Sequence, residues 1–386
     1  MQRRDFIRTF MSGLIMPLVP SAIAAAAKKS GRRLVLVELS GANDGLNTII
    51  PYRDDRYFRL RPNLALQEEG RFTVSDQFAM HASLSALGNI WERGELAIVH
   101  GLGYPGANRS HFKSIALWET GGDGNIAGRD GWLTEDLEEM GHKEGWDAHG
   151  ISLDGGMGIF TSKSGVWLSM TSAAQFQRLS QQRFNVVAES VNPALASLLD
   201  RAKVLDGSMQ KISQKLETAQ STRFQIRGGD LGRQLSTATL LIASGVETPV
   251  FKVKIGGFDT HEDQIWRHRD LLRDLSRALD DFASELRRID EWDNTIVMTY
   301  SEFGRRAVEN FTQGTDHGTA APHFIAGGKV KGSLYGSHPN LGDLIEGDLR
   351  YTMDYRSVYD LILHRWFEID QNRFSEYRAE PLNGLI

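Results

Sequence analysis

Residues 32–45 read Arg32-Arg33-Leu34-Val35-Leu36-Val37-Glu38-Leu39-Ser40-Gly41-Ala42-Asn43-Asp44-Gly45, an apolar run broken by one acid and closed by a polar turn. A run this continuously apolar predicts a strand buried on both faces. The same pattern recurs along the chain. Residues 96–99 run into His100-Gly101, residues 250–255 into Gly256-Gly257-Phe258-Asp259-Thr260-His261, and residues 295–299 into Tyr300-Ser301-Glu302-Phe303-Gly304-Arg305. Residues 323–326, followed by Gly327-Gly328, make a fifth. Between them lie stretches with helical spacing. Residues 262–289 carry Leu271, Leu272, Leu275, Leu279, Phe282 and Leu286, and further helices are predicted over 191–224, 231–244 and 355–367. Strands alternating with helices predict an α/β fold: a mainly parallel sheet covered by helices on both faces. Residues 121–227 break the pattern, glycine-rich at first and then a long polar helix, and are expected to form a cap or insertion in a single domain spanning 31–386.

In a sheet of this kind ligands bind beyond the carboxyl ends of the strands. Those ends carry Asp44, His100, Asp259, His261 and Glu302. Asp259-Thr260-His261 sets an oxygen and a nitrogen donor on the same side of an extended segment, and Thr315-Asp316-His317-Gly318 offers another such pair. Carboxylates with imidazoles suit a divalent cation, with zinc, manganese, magnesium and calcium all open. Taken singly, each residue has a plainer role. Asp44 could bond its own turn, Asp259 or Thr260 could cap the next helix, Glu302 could pair with Arg305 or Arg306, and His317 could be an ordinary loop histidine. Their joint placement favours a site.

Arg109-Ser110-His111 follows the second strand and precedes a helical pattern. Ser110 is either the N-cap of that helix or a hydroxyl nucleophile, with His111 beside it and Arg109 able to hold an anionic oxygen. No G-x-S-x-G elbow surrounds Ser110, and no G-x-G-x-x-G turn or Walker loop occurs, which weighs against an ordinary serine hydrolase and against nucleotide folds of those kinds.

The first residues, Arg3-Arg4-Asp5-Phe6-Ile7-Arg8, precede an uncharged apolar stretch ending in an alanine cluster. This is the layout of a twin-arginine export signal over residues 1–27, which implies the twin-arginine translocation machinery as a partner and a periplasmic or otherwise exported location. Pro17 and Pro20 interrupt the stretch, so no stable membrane anchor is expected. The chain has no cysteine, which excludes disulfides, thiolate metal sites and a cysteine nucleophile. A net charge of -5 gives no reason to expect nucleic acid as a partner.

The export signal, LVLVELSGANDGLNTIIP, HGLG with a following SHF, GGFDTHEDQ, TYSEFGRR and GTDHGTA occur in this order. Together they resemble the bacterial domain-of-unknown-function family 1501, which is similar in turn to the alkaline phosphatase and sulfatase superfamily. That resemblance implies an alkaline-phosphatase-like core around a two-metal site. Asp44 then matches the first-strand metal aspartate, Ser110 the nucleophile, and Asp259 and His261 the Asp and His of one metal. Glu302 stands for an aspartate, and His317, with Asp316 beside it, for the last histidine. Phe303 stands where a histidine ligand is expected, so either the second metal is absent, or His111 or Asp316 substitutes, or the hydrolytic role is lost. Two functions follow as expectations. One is a metal-dependent hydrolase acting on a small anionic phosphate or sulfate ester. The other is a metal-bearing binding or assembly protein that keeps the fold without hydrolysis, a reading favoured by Phe303.

Overall fold

The computed structural model describes residues 31–122, 127–180, 192–219, 223–370 and 372–386. The expected export signal lies outside them. Among the described residues no helix is long and apolar enough to cross a membrane.

The residue 32–45 run folds as β1 (Arg33–Ser40), at the middle of a nine-stranded sheet. Its companions are β2 (Leu96–Gly103), β3 (Gly150–Ser152), β4 (Trp167–Ser169), β5 (Val250–Gly256), β6 (Thr295–Tyr300), β7 (Ala321–Gly327), β8 (Leu334–Tyr335) and β9 (Met353–Asp354). The order across the sheet is β8-β2-β7-β6-β1-β5-β3-β4, with β9 also pairing with β2. Every pairing is parallel except those of β7, which runs antiparallel to both β2 and β6. The reversal follows from the connection. The chain leaves β6 and comes straight back through residues 301–320 without the helical crossover that a parallel neighbour needs. Residues 150–152 and 167–169, within the segment expected as an insertion, supply the two strands at one sheet edge.

Both faces are covered, as the apolar run of β1 requires. Val35, Val37 and Leu39 point into one core and Leu34 and Leu36 into the other. The first core is closed by α3 (Gly229–Ala243) and α4 (Gln264–Arg288), the second by α1 (His111–Thr120) and α5 (Arg356–Leu361). A further helix, α2 (Pro193–Thr218), lies where the long polar helix is expected. On α4, Leu272, Leu275, Leu279, Phe282 and Leu286 are buried, each worth roughly 1.5–3 kcal/mol of transfer free energy before entropy is counted. The acid that interrupts the β1 run is neutralised in place: Lys252 on β5 reaches Glu38 at 2.8 Å and Asp154 at 2.6 Å. Leaving that carboxylate unpaired would be costly.

The register carries this architecture to the site. Ser40 pairs with Gly256, and Glu38 with Tyr300, so β1, β5 and β6 end side by side. Leu102 of β2 pairs with Ala321 at the start of β7, which brings the loop after β2 and the loop before β7 to the same end. His100 is a correction to the expected strand ends. β2 continues past it to Gly103, and His100 is buried inside the strand against Phe78 and His338.

Candidate metal centre

The loops at this sheet end interlock through backbone groups. Gly41 has φ 109°, and a Cβ there would stand 2.4 Å from the amide nitrogen of Asp259, so the β1 and β5 loops cross only over a glycine. Ala42 follows with φ 66°. The two successive amides form a small anion-binding concavity, and its occupant is the Glu302 carboxylate. Gly41 N–H donates to Oε1 at 2.9 Å and Ala42 N–H to Oε2 at 3.0 Å. Beneath them the buried Arg305 guanidinium donates to the carbonyls of Gly41, Ala42, Phe258 and Thr315 at 2.6–3.1 Å, and to Asp259 Oδ1. Residues 304–306 and 316–319 are laced together by backbone hydrogen bonds, which fixes Asp316 and His317 over the same end.

Three histidines gather here, with His317 facing each of the other two. His111 donates Nδ1–H to Glu302 Oε1 at 3.1 Å, His261 to Asp316 Oδ1 at 3.0 Å, and His317 to the carbonyl oxygen of Arg109 at 2.9 Å. A carboxylate and a carbonyl only accept, so each ring carries its proton on Nδ1 and, when neutral, presents a lone pair at Nε2. These lone pairs converge. His317 Nε2 lies 3.1 Å from His111 Nε2 and 3.0 Å from His261 Nε2. Asp259 Oδ1 lies 3.0 Å from His261 Nε2 and 3.2 Å from His317 Nε2, and Asp259 Oδ2 lies 3.6 Å from His111 Nε2. His111, Asp259 and His317 offer ligand atoms that are all within 4.8 Å of one another.

Facing lone pairs repel, and a cation between them removes the repulsion. Donors about 2.0–2.1 Å from a tetrahedral zinc ion stand about 3.3–3.4 Å apart, close to the spacings above. The donor set therefore fits a divalent cation, and its imidazole content suits zinc or a transition metal better than calcium or magnesium. The carboxylates and carbonyl behind the rings stand where outer partners stand in metal sites, in which they orient the ligand histidines. The candidate ligand side chains remain accessible, Asp259 being 46% and His261 44% exposed.

The plainer roles considered for these residues are not the ones they take. The N-cap of α4 is Asp263, not Asp259 or Thr260. Glu302 pairs with neither arginine beside it: its partners are two amides, Ser301 Oγ and His111. Asp44 caps nothing with its side chain. Its oxygens accept from Arg61 at 2.5 and 2.8 Å and also from Gln264, deep in the protein. Asp44 therefore enters the site through Gln264, which accepts from Thr260 and Thr315 on the two ligand-bearing loops. Ser110 occupies the N-cap position of α1, but its hydroxyl makes no cap hydrogen bond. The Arg109 guanidinium is engaged by Asp348, while its carbonyl orients His317. The sequence reading brings Asp259, His261, His317, Asp316, Glu302 and His111 to one place. It missed Arg61 and Arg305, whose side chains neutralise the two aspartates from below. A buried arginine carries no local sequence mark that separates it from a surface one.

The charges follow the geometry. Burial opposes ionisation of Asp259, but the Arg305 guanidinium outweighs it and holds the carboxyl below its ordinary range. Burial likewise opposes ionisation of Asp44, and Arg61, His268 and Gln264 together pull it down. Asp316 is lowered in the same way by His261 and Asn310 against its burial. All three are anions at neutral pH.

A comparison with curated proteins finds no match. Among solved structures the fold is similar to the lipoteichoic acid synthase LtaP from Listeria monocytogenes (8% identity, TM-score 0.34, covering 79% of this chain and 67% of that one). It is similar to the C-terminal periplasmic domain of EcEptC from Escherichia coli in complex with zinc (10%, 0.35, 78% and 74%). It is also similar to a protein in the alkaline phosphatase superfamily from Vibrio parahaemolyticus (10%, 0.33, 82% and 71%). One family model matches residues 31–369, from the start of β1 to beyond α5, and by that match the chain belongs to the family described as protein of unknown function, DUF1501.

Proposed function

We propose that this chain is an exported, metal-dependent hydrolase of phosphate or sulfate esters. The observation that supports it most is the tautomer pattern: three imidazoles tied at Nδ1, with the Nε2 lone pairs of His111 and His261 each turned toward that of His317 and all three toward Asp259. His111, His261, His317 and Asp259 would hold the ion. When bound, a divalent ion polarises an ester oxygen and offsets the charge that develops on it. The protein's own groups do the rest. Glu302, Asp316 and the Arg109 carbonyl keep the three rings in the binding tautomer. The Ser110 hydroxyl, which has no capping bond and sits next to His111 in the chain, is the nucleophile in this reading. The export element rests on the sequence of residues 1–27.

A second reading keeps the metal and drops the hydrolysis. The engagement of Asp44 by Arg61 favours it, because the aspartate expected to serve a two-metal hydrolase is already neutralised. One experiment separates the two. Protein purified without chelator is assayed for metal by elemental analysis and then for turnover of aryl phosphates and aryl sulfates. Bound metal with turnover that disappears in Ser110→Ala supports hydrolysis. Bound metal without turnover of any ester favours the second reading, and protein that takes up no metal sinks both.

A further inference from the structure

We infer that the centre takes a single divalent ion per chain, because the place where a second would bind is filled by the protein's own groups. The inference rests on the metal reading above and goes beyond it by fixing the number of ions. In the two-metal pattern that the resemblance implies, a second cation would draw on Asp44, Glu302 and the residue at position 303; here Asp44 is enclosed by three donors, Glu302 by four, and Phe303 has no lone pair.

Asp44 is 1% exposed, and Arg61 grips both its oxygens, Nη1 to Oδ2 at 2.5 Å and Nη2 to Oδ1 at 2.8 Å. Gln264 adds a third donor. Arg61 cannot turn aside to admit an ion. It is itself fully buried, and it also donates to Asn47 Oδ1 and to the carbonyls of Ala307 and Arg306 at 2.8–3.0 Å. A guanidinium paired in this bidentate manner already supplies the positive charge the carboxylate needs. A metal ion arriving there would meet a fixed like charge in a site with little water to screen it.

Glu302 is equally committed. Four donors, from Gly41, Ala42, Ser301 and His111, surround its two oxygens, about the full acceptor capacity of a carboxylate. Phe303 closes the remaining space. Its ring is buried and packs 5.0 Å from the His111 ring and 4.9 Å from the His317 ring, measured between centroids. An apolar ring therefore stands where a further ligand would have to approach.

The same contrast marks the retained position. Asp259 also has an arginine partner, but Arg305 reaches only Oδ1, from below. The rest of the carboxylate remains open toward the histidines and solvent, with 46% of the side chain exposed. One aspartate is sealed by its arginine and the other is only steadied.

The test is a count. Purified full-length mature protein is stripped, titrated with zinc or manganese, and read by native mass spectrometry together with elemental analysis. Uptake should saturate at one ion per chain. Asp44→Asn should keep that count even if it lowers the melting temperature, whereas His317→Ala should bring uptake well below one. Saturation at two ions overturns the inference and leaves the metal reading intact. Loss of the ion in folded Asp44→Asn overturns it as well, by making Asp44 a ligand. No uptake by the unmodified protein overturns the metal reading itself. The wild-type count stands even if a variant fails to fold.

Discussion

Arg305 donates from beneath the crossed loops to Asp259, the carboxylate that lies within 3.0 Å of His261 and 3.2 Å of His317. This one guanidinium binds the carbonyls at the ends of two strand loops as well as the candidate ligand Asp259. Arg305→Met should therefore be severe. It takes the guanidinium donor from the carbonyls of Gly41, Ala42 and Thr315 and one of two donors from that of Phe258, and a buried polar group left unsatisfied costs roughly 1–3 kcal/mol. Urea unfolding of Arg305→Met beside the unmodified protein measures it. A loss under about 1 kcal/mol would show that the loops hold together without the guanidinium.

Glu302 acts on the centre through His111, so its removal should weaken metal binding more than it disturbs the fold. In Glu302→Gln the amide oxygen can still accept from Gly41 or Ala42, but the amide nitrogen then faces His111 Nδ1. The ring is pushed toward the tautomer that protonates Nε2 and withdraws its lone pair. Loss of such an outer partner typically costs 10–100-fold in metal affinity. Competition with a chromophoric chelator reads this directly, and unchanged affinity in the folded variant would remove Glu302 from the centre.

The sheet and its loop ends were legible in the sequence because a strand buried on both faces leaves a continuous apolar run. Asp259, His261, Glu302 and His317 follow or precede such runs closely. What decides their roles was not legible. Whether Glu302 touches an ion or a histidine depends on the left-handed turn at Gly41 and Ala42, which aims two amides at it. Whether Asp44 is a ligand depends on Arg61, a residue in a separate helix–turn segment with no local reason to be buried. His111 was placed with the nucleophile because of its neighbour in the chain. Its bond to Glu302 spans 191 positions and leaves no trace in local spacing.

Acid should unfold this protein early, and histidines away from the centre are the cause. Burial lowers His100, His268 and His323 each to about 3, while the unfolded chain takes up those protons near pH 6.5. Between these values the unfolded state holds more protons, so stability falls as pH drops below about 6.5. Three such groups at about 1.4 kcal/mol per pH unit each give about 4 kcal/mol per unit, and His81 and His338, lowered by burial to about 4, add about 3 more. The lowered carboxyls of Asp44, Asp259 and Asp316 act only further down. Their contribution is complete above the ordinary value of 3.8 and is lost as pH falls through their lower folded values. Denaturant midpoints at pH 7.5, 6.5 and 5.5 test the slope. His100 has both ring nitrogens without a hydrogen-bond partner, so His100→Phe should flatten it by about a third of the three-histidine slope. A profile level down to pH 5 would refute the account.

Ser110 and His261 should separate chemistry from metal binding. Serine at an N-cap ordinarily contributes about 1 kcal/mol through its side-chain bond to the first turn. Here that bond is absent, so Ser110→Ala should shift stability by only a few tenths of a kcal/mol. It should leave metal content unchanged and, if the hydroxyl attacks phosphorus or sulfur, abolish ester turnover. His261→Ala removes a ring whose Nε2 faces Asp259 and His317, and it frees Asp316 from its partner. Metal affinity should fall, turnover with it, and the loop of residues 257–261 should loosen as far as the ion ties it to the His317 loop, since its main-chain bonds to Asn310 and Thr312 remain. The two variants must therefore differ in metal content while agreeing in lost activity. Metal content, urea midpoint and turnover are measured side by side in both. Full turnover in Ser110→Ala would leave the ion and drop the hydroxyl from the chemistry. A large stability loss in Ser110→Ala would mean that the hydroxyl caps α1 in solution after all. Unchanged metal content in His261→Ala would confine the centre to His111, Asp259 and His317, the three residues whose ligand atoms lie mutually within 4.8 Å.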